Sequence, residues 1–175
     1  MRQLKFCSFG FALFAMGILA SGMSPRGHAA DGAKPDKAAV DRAREQVKML
    51  DDLYKTAVVK ITEVYVGQQG EVPAAVAAKE IFAVMKKNGW HEAKLVDATG
   101  KPKRKANLPA TEFEKKAIAA MKDGKQYFEE VAEKDGKPVF RAATIVPAVM
   151  NECAACHRVK KGDLLGAIVY ELPIK

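Results

Sequence analysis

Apolar positions along the chain fall into stretches of different period. Val40, Val47, Tyr54 and Ile61 alternate with Ala43, Leu50, Ala57 and Val64, a 3-4 spacing kept over almost four heptads. It predicts a helix of about 25 residues, roughly 37 Å long, ended by Gly67 and Gly70. Such a stripe serves either a helix packed on its own domain or a self-associating seam over residues 40–64, which Ala43 and Ala57 would weaken. Pro73 suits the first position of a second helix, in which Ile81, Phe82 and Met85 precede Asn88-Gly89. The period then changes to two. Ala93 to Ala98 alternates as a strand, and Thr111-Glu-Phe-Glu114 is a capping box opening a short helix that Gly124 closes. Residues 126–133 and 138–146 flank Lys134-Asp-Gly-Lys137, a strong hairpin signal. Leu164 to Leu172 reads as a buried strand. With no internal repeat, these elements make one α+β domain.

The N-terminus changes the picture of the compartment. Arg2 and Lys5 precede the apolar run Phe6–Ala20, and Gly27-His-Ala-Ala30 leads into charged sequence. This is the order of a secretory signal, with an apolar core shorter than the roughly 20 residues of a membrane span. Cleavage is expected after Ala29 or Ala30, giving a periplasmic or otherwise exported product with no membrane span. A polar leader over 31–37, a long helix over 38–66 and a remainder over 73–175 would then form a single domain of 145 residues. The net charge of +8 falls to +5 when the signal leaves with its three basic residues. That favours solubility and electrostatic steering, and gives no ground for nucleic-acid binding. The run Lys101-Pro-Lys-Arg-Lys105 reads as a solvated basic loop.

Cys7 leaves with the signal, so the two remaining cysteines lie in one pentapeptide, Cys153-Ala-Ala-Cys156-His157. No disulfide framework braces the exported chain. This spacing is the attachment pattern of a single covalent c-type haem. On a helical turn, positions three and four apart share a face, so both sulfurs meet the haem edge while His157 turns towards the iron as proximal ligand. A redox-active Cys-x-x-Cys pair would not need the histidine, and a structural zinc site needs four ligands. Candidates for the opposite iron position are His91, Met49, Met85, Met121 and Met150. His91 leads as the one other imidazole of the mature chain, with Met85 next; an open iron is the other possibility.

From about Leu53 onward the chain resembles the PAS-like c-type haem domain family, whose members are small exported haem proteins and sensory modules. The resemblance rests on Asn107-Leu-Pro109 with the helix starting near Thr111, on the hairpin ending in Arg141, on Cys153–His157, and on Lys161-Gly-Asp-Leu-Leu-Gly-Ala-Ile168. It implies a PAS-like antiparallel sheet with a long N-terminal helix, thioethers at Cys153 and Cys156, and His157 as iron ligand. One type in that family uses a cysteine from the N-terminal helical region as second ligand; the corresponding stretch here, Ala74 to Ala78, has none. The rival architecture is a four-helix bundle of the cytochrome c′ type, which the Asp135-Gly136 hairpin and the β-rich tail oppose.

The expected activity is one-electron transfer with a periplasmic redox protein, and not enzymatic catalysis. A haem-based redox or gas sensor, reporting to a partner through the long helix, is the alternative.

Overall fold

The computed structural model describes residues 34–67 and 73–175. The expected signal (residues 1–30), its cleavage near Ala29 and Ala30, and Gly70 lie outside them. Helix α1 spans Lys37–Gly67 and α2 spans Ala74–Lys87. Strand β1 (Glu92–Asp97), a 3-10 turn at Lys105–Asn107, and α3 (Glu112–Lys122) follow. The chain continues through β2 (Tyr127–Lys134), β3 (Lys137–Pro147), α4 (Asn151–His157) and β4 (Leu164–Pro173). The strands form one antiparallel sheet in the order β1-β4-β3-β2. That sheet rules out the four-helix bundle, and the expected α+β architecture with its long N-terminal helix is present.

Alternation along each strand gives the sheet two faces. One carries Phe140, Ala142, Ile168, Tyr170 and Leu172 beneath α1 and α2. The apolar stripe of α1 is spent here: Ala43, Val47 and Tyr54 are buried against this face. Met49 and Leu53 are exposed on α1. Its charged positions form i,i+3 and i,i+4 pairs such as Glu45–Lys48 and Asp51–Lys55. Asp51 also accepts hydrogen bonds from Thr144 (2.5 Å) and Tyr170 (3.0 Å), fixing α1 over the sheet.

On the other face lies α3. Phe113, Ala117, Ile118 and Met121 pack on Val96, Ala143 and Ala167. Thr111 caps α3 through the reciprocal capping box with Glu114. Beyond α3 the face carries ion pairs instead of apolar cover: Lys134 with Glu92 and Glu171, and Arg141 with Glu171 and Glu130. The β2–β3 turn has Asp135 and Gly136 at φ of 52° and 71°, the backbone that an Asp-Gly hairpin requires. Gly166 is needed for a different reason. A Cβ there would lie 2.0 Å from the Val96 carbonyl oxygen, so β4 and β1 approach closely only with glycine. Among the described residues, no helix is long and apolar enough to cross a membrane.

Candidate functional site

The pentapeptide 153–157 forms most of α4, an excursion between β3 and β4. The excursion is closed at its neck by backbone bonds from Ala148 N–H to the Asp163 carbonyl (2.9 Å) and from Gly162 N–H to the Ala148 carbonyl (2.8 Å). Asp163 also accepts from the Lys160 amide at 2.7 Å. The run after the motif, Lys161-Gly-Asp, is therefore the clasp that holds α4 to the sheet. Gly162 has a φ of 95°, which a residue with a Cβ adopts only under strain. The helix ends at once after His157, because Arg158 takes the left-handed conformation (φ 59°, ψ 44°) and donates its amide to the Ala154 carbonyl.

Within this short helix both cysteines are free thiols, Cys153 half-buried and Cys156 exposed. They stand three apart, and His157 stands four from Cys153, so all three share one side of the helix. The His157 ring reaches solvent yet lies against protein. That burial, with the charge of Lys103, lowers its basicity, and Asp97 opposes the shift. A neutral imidazole of this kind keeps a ring nitrogen free to bind a metal. Two unpaired thiols and an adjacent neutral imidazole fit covalent capture of a haem. Among the described residues, no group of three or more His, Cys, Asp or Glu side chains is arranged to hold a bare metal ion.

The structure does not bring His91 or Met85 to this helix. Pro147 pairs with Leu164, and Gly166 faces both Val146 and Asp97, so α4 springs from the Asp97 end of the sheet. His91 precedes Glu92 at the opposite end of β1. Six residues of extended chain separate it from Asp97, about 20 Å. His91 is buried, and its Nε2 lies 2.8 Å from the Tyr54 hydroxyl. Burial lowers its pKa and favours the neutral ring, which shares a hydrogen bond with that hydroxyl. Met85 shares that end, since the Trp90 amide bonds to its carbonyl. Met121 is a core residue of α3, and Met49 is exposed on α1. Met150 immediately precedes α4.

Sequence reasoning did not foresee the long-range polar contacts. The charge of Lys103, in the solvated basic loop, contributes to lowering the basicity of His157. Lys79 of α2 donates to Asn107 Oδ1 at 2.7 Å, and Glu114 accepts from Lys94 at 2.9 Å. The basic run 101–105 and Asn107-Leu-Pro109 were the available signals.

No curated protein sequence matches this chain. The fold is similar to the crystal structure of the cyanobacterial heme-protein Tll0287, with a TM-score of 0.55 at 16% identity over 74% of this chain and 93% of that one. A family model described as Tll0287-like matches residues 33–173, nearly the whole of the described structure. The chain belongs to the Tll0287-like family.

Proposed function

We propose that this protein carries one covalently attached haem c and acts as a one-electron carrier in the periplasm, after loss of the N-terminal signal. The observation that carries the reading is a single helical turn presenting two free thiols and an imidazole on one side, clasped to the end of the sheet. The structural relative from a cyanobacterium is a heme-protein, which supports the same cofactor here. When bound, haem supplies an iron that cycles between ferric and ferrous states. Cys153 and Cys156 would hold the haem as thioethers, each S–H adding across one vinyl group, and His157 would supply a nitrogen to the iron. Exposure of Cys156 and His157 leaves the attachment edge open to a redox partner.

A second reading follows from the placement of His91. That imidazole is bonded to Tyr54, and it lies with Met85 at the end of β1 away from α4. An open sixth position suits a haem that binds a diatomic gas and reports to a partner. Carbon monoxide added to the ferrous protein separates the two: rapid binding favours the sensor and no binding favours the carrier.

Intact-mass spectrometry after acid-acetone extraction tests the common ground. The mature chain is expected to exceed its polypeptide mass by one haem, and the Cys153→Ala/Cys156→Ala variant to carry none. Haem that extracts from the unmutated protein, or a haem-free mature chain, would overturn the proposal.

A further inference from the structure

A shallow groove of about 260 Å³ lies beside edge strand β1, between α2 and the turn at Lys105–Asn107. Its floor is apolar, from Phe82, Ala93 and Leu95, and lysines stand around it. Those lysines differ in how they are neutralised. Lys94 meets both carboxylate oxygens of Glu114, and Lys86 meets Glu92. Lys79 is half-buried, and its ammonium donates to the neutral amide of Asn107. Arg104 opens the same turn, its carbonyl accepting from the Asn107 amide at 2.9 Å. Burial, with the charges of Arg104 and Lys94, lowers the basicity of Lys79. A half-buried ammonium whose partner among the described residues is a neutral amide oxygen is electrostatically incomplete. A carboxylate would complete it, accepting from Lys79 and in a fork from Arg104.

The strand brings this groove towards the α4 site. Leu95, on its floor, is two residues from Asp97, about 7 Å along β1, and Asp97 marks the end of the sheet from which α4 springs. Haem brings two carboxylates, the propionates, on the edge opposite its thioether-forming vinyl groups. They are the anions that a haem held by α4 would carry away from that helix.

We propose that Lys79 and Arg104 form a carboxylate site that receives a haem propionate, with Asn107 holding the Lys79 ammonium in place. The inference rests on the haem reading above and assigns positioning residues for that group. It also accounts for Asn107-Leu-Pro109, since the turn fixes one wall of the groove and supplies the amide that aims Lys79.

Resonance Raman spectroscopy of the ferrous holoprotein tests it, because the propionate bending mode shifts when a propionate loses its hydrogen bonds. Lys79→Met and Arg104→Gln are each expected to shift that mode while the covalent haem is retained, and Arg104→Lys to restore part of it. Both variants should also lower the midpoint potential, since cations near the haem favour the ferrous state. Arg104 is exposed, so its variant also serves if Lys79→Met proves unstable. Acetate titrated into the unmutated holoprotein, followed by amide NMR at Ala106 and Asn107, identifies the other source of carboxylate. Saturable acetate binding there, with an unmoved propionate mode in the variants, would overturn the propionate assignment in favour of a free-carboxylate site. An unmoved mode without acetate binding would overturn both. A chain that never acquires haem fails the mass measurement instead, which separates failure of the haem reading from failure of this one.

Discussion

The two histidines of the described chain stand at opposite ends of one strand's length and are treated by the fold in opposite ways. His91 is buried between α1 and the start of β1, its ring nitrogen satisfied by Tyr54 and its neighbours Phe82 and Tyr170 packed on that same tyrosine. His157 ends a seven-residue helix outside the two cores, beside two free thiols. Removing a satisfied buried hydrogen bond costs stability, whereas an exposed side chain at a helix end contributes little to it. The contrast separates a histidine that belongs to the fold from one that is available for chemistry, although both are neutral imidazoles with lowered basicity.

Exchanging alanine at each position sharpens that contrast and has the largest expected effect. His157→Ala should abolish the proximal iron signature in magnetic circular dichroism while changing stability of the haem-free chain by only about 0.5 kcal/mol. His91→Ala should do the reverse. It strands the Tyr54 hydroxyl and opens space in the core, at about 3 kcal/mol by urea titration, with an unaltered haem spectrum. A lost iron signature in His91→Ala would restore His91 as the distal ligand and break the comparison.

A second effect comes from the strand that connects the two regions. Gly166→Ala places a methyl where the Val96 carbonyl oxygen already lies, and β4 must move away from β1. The expected loss is about 3 kcal/mol. Because Gly166 pairs at the Asp97 end, amide exchange should rise first at Val96 to Ala98 and last around Glu92. Uniform acceleration along β1 would show that the ends do not loosen separately.

Much of this was readable in the residues. The Asp-Gly turn, the Thr111–Glu114 box and the cysteine motif are local signals, each complete within five residues, and the structure has the hairpin, the cap and the short helix at those places. The long stripe of α1 marked its apolar side but could not say what would cover it; the sheet covers Ala43, Val47 and Tyr54. Contacts between distant segments were out of reach. Lys79 and Asn107 are 28 residues apart, and Tyr54 and His91 are 37 apart. Chemistry ranked His91 as a ligand, but only the strand register shows which end of β1 it occupies relative to α4. The basic run 101–105 reads as solvated from its charge, and its four basic side chains are exposed.

The smallest effect is the pH dependence of stability, and it distinguishes the two histidines without altering either region's packing. Burial holds the His91 pKa below its ordinary 6.5. As pH falls through 6.5, the unfolded chain therefore takes up a proton that the folded chain refuses. The stabilisation is complete above that value and is lost as pH drops towards the folded pKa. Glu114 acts in a lower window. Burial pushes its carboxyl up, but the Ala110 amide and Lys94 outweigh that and hold it below its ordinary 4.5, so its contribution persists at about pH 6 and is lost below about 4.5. Urea midpoints of the holoprotein between about pH 7.5 and 3.5 should therefore fall in two steps. In His91→Gln the upper step should vanish and the lower one remain. His157 also has a lowered pKa in the free chain, but a ring nitrogen bound to iron does not take up that proton. An upper step that survives in His91→Gln would mean that His157 is titrating freely in the holoprotein, and the assignment of the iron to it would fall.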